Sequence, residues 1–282
     1  MPVIAFATCN DLPEIQISDA LVADGLEAAG VRVVAAPWNG DQAAFETADM
    51  IVVRSTWDYP ADPEAFRRWL IGLGHRQRVV NEPSLMHWNF TKRYLMRLGV
   101  AGAPLPPTRF VAPDAGDLAR AMDELGLAQA VVKPVIGATA SGLSIIERDD
   151  KAGLETAAGA LGHAGLVQPL IDDIITRGET SLIYIDGAFT HAVVKRPKEG
   201  DIRVQEEHGG VTALTDAPAW AIAEGARILE MLPAPPTYAR VDAVILDERL
   251  QLMEVELIEP ELFFTHRPEA ADRFAAALLK KL

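Results

Sequence analysis

The segment Tyr238–Ile245 reads YARVDAVI, and Leu252–Glu256, a few residues later, reads LMEVE. Their apolar and polar side chains largely alternate, which predicts two strands of an antiparallel sheet. Asp242 shares a face with Arg240 in the first strand, and the two glutamates of the second strand, at 254 and 256, share a face. A turn formed by residues 247–249 or by residues 248–250 brings the three carboxylates to one surface, whereas a two-residue turn separates them.

Three carboxylates on one surface repel each other unless cations lie between them. Oxygen ligands with open positions suit Mg²⁺ that is bound together with the phosphates of a nucleotide. We therefore take Asp242, Glu254 and Glu256 as candidate metal ligands, and Arg240 beside them as a candidate catalytic cation. The alternative is a solvated acidic face, which is common in a chain with 40 Asp and Glu residues against 26 Lys and Arg residues.

A lysine lies inside the apolar run Val131–Pro134, and a loop of small residues follows it at 137–142, with sequence GATASG. Lysine is rarely buried without a partner, and small residues let backbone N–H groups approach an anion closely. Lys133 and the loop therefore predict a triphosphate-binding site. The loop residues that would contact the phosphates are Gly137, Ala138, Ser141 and Gly142. The alternative is an edge-strand lysine beside an ordinary hairpin loop. Neither a Walker A motif nor a Gly-x-Gly-x-x-Gly motif is present here.

The composition narrows the class of partner and the compartment. The chain has 282 residues and a net charge of −14, which argues against the nucleic-acid backbone and anionic membranes as partners. Its single cysteine excludes an intrachain disulfide bond. The start of the chain has no basic region typical of a signal peptide, and no apolar run reaches membrane-spanning length. We expect a cytoplasmic protein.

The order of the predicted elements favours a mixed α/β and α+β fold in three lobes. A β-α-β alternation over roughly the first 85 residues predicts an open parallel sheet. The chain becomes strand-rich from Leu166 onward, and Ser84–Leu98 has the spacing of one helix. We expect an N-terminal substrate lobe at 1–88, a central lobe with the phosphate loop at 89–167, and a C-terminal lobe with the metal site at 168–282.

Polar and aromatic residues follow the third predicted strand, where open parallel sheets bind ligands. Arg54 is suited to a substrate carboxylate, Asp58 to a substrate ammonium group, and Trp57 with Tyr59 to a wall of the site. The alternative is a capped loop with two packed aromatic side chains.

Taken in order, these segments resemble the ATP-grasp superfamily, and in particular its glutathione synthetase-like and ribosomal-protein-glutamate-ligase-like members. The shared motifs are Asn89–Lys92, Val132–Pro134 with its loop, Gln168–Ile171, Gly178–Glu179, Arg203, Asp242 and Glu254–Glu256. The stretches RSTWDY at 54–59 and LIEPELFF at 257–264 look more specifically like the cyclo-ligases of cycloserine biosynthesis and their bacterial relatives.

The resemblance implies an ATP-grasp fold, preceded by the N-terminal parallel-sheet lobe, and a role for each motif. Lys92 and Lys133 would contact the phosphates of ATP, with Lys133 also near the adenine, and the loop at 137–142 would close over the triphosphate. Glu179 would bind the ribose hydroxyls. The hinge that reads the adenine edge would consist of Gln168, Pro169, Leu170 and Ile171.

The same resemblance implies that Lys195 and Arg203 face the γ-phosphate and the acyl group. Asp242, Glu254 and Glu256 would hold two Mg²⁺ ions, for which Mn²⁺ is a possible substitute. The related pattern ends in Glu-x-Asn, whereas Glu256 stands here in place of the asparagine. Its carboxylate still supplies an oxygen ligand, and its added charge would alter metal affinity or preference.

These roles predict an ATP- and Mg²⁺-dependent ligase that activates a small amino-acid-type carboxylate as an acyl phosphate and transfers it to a nitrogen nucleophile. The transfer is either intramolecular, closing a ring, or intermolecular, as in amino-acid and peptide ligases. Two different classes of function also stay open, a non-catalytic nucleotide-binding protein and a kinase-like phosphotransferase. The partners are then a small carboxylate or amine substrate and, by resemblance, a second copy of the chain in a homodimer.

Overall fold

The N-terminal lobe is an open parallel sheet with helices between its strands, as the β-α-β alternation predicts. The computed structural model describes residues 1–73, 78–137, 142–198, 203–204 and 209–282. The strands lie in the order β2-β1-β3-β4. All four residues of the third strand are buried, which is typical of a parallel strand covered on both faces. The elements are β1 Val3–Thr8, α1 Ile17–Ala28, β2 Arg32–Pro37, α2 Ala43–Thr47, β3 Met50–Val53, α3 Pro63–Leu73 and β4 Arg78–Val80.

The segment predicted as one helix at Ser84–Leu98 forms two helices, α4 Pro83–Asn89 and α5 Tyr94–Val100. Between them the backbone N–H of Lys92 donates to the carbonyl of Val135 at 2.8 Å. This contact replaces helical hydrogen bonding at the break and ties Lys92 to the middle lobe.

The middle lobe is an antiparallel sheet in the order β5-β8-β6-β7. Asp114 caps its first helix by accepting a hydrogen bond from the N–H of Asp117, and Gly126 ends that helix in the left-handed conformation. The predicted lobe boundary between residues 167 and 168 falls inside the last of these strands in the chain, Gly165–Pro169. The elements are β5 Arg109–Val111, α6 Ala115–Leu125, β6 Gln129–Pro134, β7 Ser144–Glu147, α7 Lys151–Ala160 and β8 Gly165–Pro169.

The C-terminal lobe is a second antiparallel sheet, in the order β11-β10-β9-β12-β13. Its last helix returns to the N-terminal lobe, where Phe274 belongs to the same hydrophobic core as Phe6 and Val22. Among the described residues, every helix is too short or too polar to span a bilayer. The elements are α8 Asp173–Thr176, β9 Glu179–Ile185, β10 Ala188–Arg196, β11 Val211–Thr215, α9 Ala219–Glu230, β12 Tyr238–Ile245, β13 Leu250–Glu256 and α10 Pro268–Leu279.

The hairpin of β12 and β13 carries the three acidic residues singled out in the sequence. Its end pair is Ile245 with Leu250, so the loop has four residues, and a bulge follows between the pairs made by Asp242 and Ala243. The bulge restores the alignment that a four-residue loop would shift by one residue. As a result, Asp242 lies opposite Glu254 and the three carboxylates share one surface, although the turn matches neither favourable predicted length.

Candidate functional site

A cavity of about 420 Å³ opens where residues of all three lobes meet. It collects most of the predicted site residues, although they are far apart in the sequence. Those that line it are Trp57, Lys92, Lys133, Gly137, Gln168, Pro169, Leu170, Ile171, Glu179, Lys195, Arg203, Arg240, Asp242, Glu254 and Glu256.

Asp242 is the most tightly held of these acids. It accepts hydrogen bonds from Ser181 Oγ at 2.5 Å and from Arg240 Nη2 at 3.0 Å, and its Oδ1 lies 3.3 Å from Lys195 Nζ. Burial alone would raise the pKa of Asp242, but Arg240 and Lys195 hold that pKa below its usual value. This acid is therefore ionised and fixed in position.

Glu256 and Glu179 each share a cation with Asp242. Glu256 pairs with Arg240, and Glu179 Oε1 lies 2.5 Å from Lys195 Nζ. Burial raises the pKa of Glu256 to about 8, against the pull of Arg240 and with the help of the negative charge on Asp242. The pKa of Lys195 is raised, because Asp242 and Glu179 outweigh its burial. The predicted catalytic cations Arg240 and Lys195 thus hold the acidic wall together when no ligand is bound.

Two more lysines line the cavity, in different electrostatic states. Lys92 forms an ion pair with Glu254. Lys133, at the end of β6, has no ion pair among the described residues, and burial lowers its pKa although Glu179 and Glu254 act in the opposite direction. An anion placed beside Lys133 would remove this electrostatic penalty.

The predicted hinge continues from β8. The Gln168 side chain is buried and its Nε2 donates to Thr108 Oγ1 at 2.9 Å, so this amide is already used inside the middle lobe. Pro169, Leu170 and Ile171 line the cavity with apolar surface. The hinge segment therefore offers a flat apolar ligand its backbone and aliphatic side chains.

The predicted phosphate loop is described only in part. Ala138 and Ser141 lie outside the described residues. Gly137 lines the cavity, whereas Gly142 does not. Gly142 has a φ of +73° and a Cβ there would lie 2.7 Å from Pro134 Cγ, so the position requires glycine.

The structure places Arg54 and Asp58, predicted as substrate ligands, outside the lining of the cavity. Arg54 is 2% exposed and lies outside the cavity, where its Nε donates to Asp19 Oδ1 at 2.9 Å. Asp58 accepts hydrogen bonds from Trp38 Nε1 at 2.5 Å and from Asn39 Nδ2 at 3.2 Å. Arg54 Nη2 also donates to Pro260 O of the C-terminal lobe at 2.9 Å. Neither Arg54 nor Asp58 is among the residues that line the cavity. Trp57 and its neighbour Tyr59 do form part of the wall, as predicted.

Sequence reasoning missed two acidic residues of the cavity, Glu259 and Glu261. Their signal in the sequence is the stretch LIEPELFF, which carries a family resemblance but no role for either acid. Asn89 was also given no role, yet its side-chain amide donates to Val255 O at 2.8 Å and its Oδ1 accepts from Leu257 N at 3.0 Å. Asn89 thereby fixes the strand that carries Glu254 and Glu256.

The carboxylates suit a divalent cation in chemistry but do not form a closed cage. Within the described ranges, no group of three or more histidine, cysteine or acidic residues is gathered closely enough to hold a metal ion. Instead, Asp242, Glu254 and Glu256 each contact a lysine or an arginine. Mg²⁺ is usually held by one or two carboxylates together with substrate phosphates, so these residues fit an ion that arrives with a phosphorylated ligand.

Comparison with known proteins places the chain among enzymes of related fold. A family model described as "D-cycloserine synthetase DcsG, N-terminal domain" matches residues 4–81. The cycloserine biosynthesis protein DcsG of Streptomyces lavendulae is 28% identical over 268 residues, which cover 90% of this chain and 90% of that protein.

The likeness in structure extends over all three sheets. The crystal structure of D-cycloserine synthetase DcsG superposes with a TM-score of 0.89 and 26% identity, covering 99% of both chains. The ATP-grasp ligase PsnB, in a complex with a variant of its minimal precursor, Mg and ADP, superposes with a TM-score of 0.64 and 15% identity, covering 98% of both chains.

Proposed function

We propose that this chain is an ATP-grasp ligase that uses ATP and Mg²⁺ to join a small carboxylate to a nitrogen nucleophile, which its likeness to DcsG supports. The carboxylate is activated as an acyl phosphate. The nitrogen belongs to the same molecule, so that the product is a ring.

The observation that carries this proposal is the distribution of charge around one cavity. Lys133 lies on the β6 wall without an ion pair among the described residues, and Asp242, Glu254 and Glu256 lie on the β12–β13 wall. A triphosphate with bound Mg²⁺ has negative oxygens for the lysine and positive charge for the acids. Few other small ligands match both walls at once.

We assign Asp242, Glu254 and Glu256 to Mg²⁺, as two ions, with Mn²⁺ accepted by the same oxygen ligands. Lys92, Lys195 and Arg240 now contact these acids. With metal ions held by these acids, the three cations would be available to phosphate and carboxylate oxygens. The negative charge of the β12–β13 wall would then be balanced by the metal ions when the ligand is bound and by the three cations when it is not.

When bound, Mg²⁺-ATP supplies an electrophilic γ-phosphoryl group. Lys195 and Arg203 hold its oxygens and the substrate carboxylate, so that a carboxylate oxygen reaches phosphorus as ADP departs. The nitrogen then attacks the acyl carbon, inorganic phosphate leaves and the nitrogen loses a proton. The chain's residues contribute mainly positioning and charge, which is the usual protein contribution to phosphoryl transfer.

The remaining assignments follow the shape of the cavity. Leu170, Ile171 and Met253 provide apolar surface for the adenine, next to the backbone of the hinge. Glu179 binds the ribose hydroxyls after Lys195 turns to phosphate, and the loop at 137–142 covers the triphosphate. A homodimer and a cytoplasmic location remain predictions.

Ring closure is favoured over transfer to a second molecule by the 28% identity to a protein of cycloserine biosynthesis along nine-tenths of both chains. The fold alone does not decide, since PsnB shares it and was solved with a precursor variant.

The test is a coupled ADP-release screen over D- and L-amino acids and their O- and N-substituted derivatives with Mg²⁺. For each active compound, carboxylate labelled with ¹⁸O is supplied. Transfer of one ¹⁸O into the released phosphate supports an acyl phosphate. ADP release with a phosphorylated product and no free phosphate would show a phosphotransferase instead.

The mass of the product separates the two ligase reactions. A product lighter than a single substrate by one water supports ring closure. A product that forms only when a second amine is added supports intermolecular ligation. A folded enzyme that binds ATP and releases ADP with no carboxylate would contradict the proposed function.

A further inference from the structure

The three residues after the acidic strand, Glu259–Glu261, are held by an unusual set of contacts. Each of their main-chain carbonyls accepts a hydrogen bond from a different side chain. Trp57 Nε1 donates to Glu259 O at 2.9 Å, Arg54 Nη2 to Pro260 O at 2.9 Å, and Arg240 Nη1 to Glu261 O at 3.0 Å. The segment is thereby fixed to both the N-terminal lobe and the acidic wall.

This arrangement presents the carboxylate of Glu259 to the cavity. Glu259 is 9% exposed and lines the cavity, and its charge interacts with Glu254, Lys92 and Arg240, which also line it. Burial raises the pKa of the Tyr59 hydroxyl and Glu259 adds to that rise, so these two groups interact. The carboxylate is thus buried in protein but turned toward the space that a ligand would fill.

Glu259 differs from the other cavity acids in its lack of a fixed cation. Asp242, Glu179, Glu254 and Glu256 each form an ion pair. No ion pair involves Glu259 among the residues that the structure describes. A buried carboxylate without a paired cation is costly, and burial raises the pKa of Glu259 to about 7.

Glu261 also forms no ion pair among the described residues, but its carboxylate has a hydrogen-bond partner. Its Oε1 accepts a hydrogen bond at 2.6 Å from the N–H of Phe263, a residue held at a φ of +53°. Glu261 therefore stabilises a strained backbone position, whereas the carboxylate of Glu259 forms no ion pair within the described part of the protein.

We propose that Glu259 binds the ammonium group of the substrate, and that Arg54 and Trp57 are positioning residues that hold it there. This inference rests on the proposed function, because it concerns the carboxylate substrate of that reaction. The substrate class is then an α-amino acid or an amino acid derivative with a free amino group. Trp57 also offers an aromatic ring beside Glu259, and aromatic rings attract ammonium groups.

A further metal ion is the competing occupant. Mg²⁺ takes about six oxygen ligands, whereas the groups that interact with Glu259 include the indole of Trp57, which donates to its main-chain oxygen, the phenol of Tyr59 and the ammonium group of Lys92. The surroundings favour an organic cation over Mg²⁺. If Glu259 binds an ammonium group, replacing it changes the preference for α-amino compounds. If it binds a metal ion, replacing it changes the Mg²⁺ dependence. The experiment measures both quantities.

The experiment compares pairs of compounds that both keep a side-chain nitrogen as nucleophile and differ only in the α-amino group, such as 2,4-diaminobutyric acid with 4-amino-2-hydroxybutyric acid, together with each compound active in the screen and its α-hydroxy counterpart. We measure kcat/KM from ADP release, the KM for ATP and the Mg²⁺ dependence. The wild-type enzyme should prefer the α-amino compound by about 10²-fold. Glu259→Gln should reduce that preference to below about fivefold, with the KM for ATP changed by less than about threefold.

Two further variants separate recognition from misfolding, and a third tests the support of Glu259. Glu259→Asp keeps the charge and should restore part of the preference. Glu269→Gln makes the same chemical change at an exposed position in the first turn of α10 and should leave every parameter unchanged. Trp57→Phe keeps a ring but removes the donor to Glu259 O, and should lower the preference less than Glu259→Gln does.

Each outcome of these measurements either supports the proposed role of Glu259 or overturns it. A preference that survives Glu259→Gln, or a wild-type enzyme that uses both members of a pair equally well, overturns the inference and leaves the proposed function standing. A variant that shifts the Mg²⁺ dependence but not the preference identifies a metal ligand and also overturns it. ADP release with no carboxylate by an enzyme that binds ATP removes the proposed function, and the inference with it.

Discussion

Asp242 lies directly opposite Glu254 in neighbouring antiparallel strands, and a bulge just beyond this pair sets the alignment. Without the bulge, the four-residue loop would place Met253 instead of Glu254 opposite Asp242, and Glu254 and Glu256 would then lie on the opposite face from Asp242. One local irregularity thus brings the acidic residues of both strands to the cavity.

Glu254→Ala should abolish Mg²⁺-dependent ADP release, because it removes a proposed metal ligand and also leaves the half-buried Lys92 without its partner. We expect a loss of at least about 10²-fold in kcat. ADP release at saturating Mg²⁺ measures it. The matched control is Glu248→Gln in the exposed loop of the same hairpin, which should retain full activity. A Glu254→Ala enzyme of normal activity would rule out the metal assignment.

Lys133→Ala should weaken binding of the non-hydrolysable analogue AMPPNP by roughly 30-fold or more, since it removes a cation that has no ion pair among the described residues. Stability should not fall, because removing a half-buried charge that has no ion pair among the described residues relieves a penalty. Calorimetric titration and urea unfolding check the two effects. Lys151→Ala, on the exposed end of α7, is the control. Unchanged affinity would place the triphosphate elsewhere.

Arg54→Ala should lower the free energy of unfolding by about 3–5 kcal/mol, because Asp19 would keep a buried carboxylate without its cation. Burial already raises the pKa of Asp19 to about 6, although Arg54 opposes this. Urea unfolding measures the change. The double variant Arg54→Ala with Asp19→Ala should be destabilised by less than the sum of the single changes. Strict additivity would show that the ion pair contributes nothing.

Part of this arrangement could be read from the sequence, and part could not. Alternation in β12 and β13 and the apolar run before Lys133 reflect local burial, so they identified the two walls of the cavity. The roles of Arg54 and Asp58 depended on partners that no local pattern shows. Asp19 lies 35 residues before Arg54, and Trp38 lies 20 residues before Asp58.

Glu259 was missed for a related reason. Its position follows from hydrogen bonds that Trp57, Arg54 and Arg240 make to main-chain oxygens, and main-chain contacts leave no trace in the choice of the residues that receive them. Both stretches, RSTWDY and LIEPELFF, could be singled out in the sequence. That side chains of the first stretch donate hydrogen bonds to the main chain of the second could not be predicted from it.

Glu259 also predicts a pH dependence of stability. Its pKa in the folded protein is raised from 4.5 to about 7, so the folded state binds more protons than the unfolded state between these values. The stabilisation is complete below the unfolded pKa and is lost as pH rises through about 7. Relative to Glu259→Gln, the wild type should therefore lose roughly 3 kcal/mol between pH 5 and pH 8. Urea unfolding in EDTA without nucleotide measures this, and a constant difference across that range would contradict it.

The central claim is that one cavity holds a magnesium nucleotide between Lys133 and the acids of β12 and β13. The most direct measurement is calorimetric titration of AMPPNP into the wild-type enzyme with excess Mg²⁺ and again in EDTA. We predict one site per chain that binds with Mg²⁺ and weakens strongly in EDTA. Equal affinity under both conditions, or no binding to the folded protein, would contradict it.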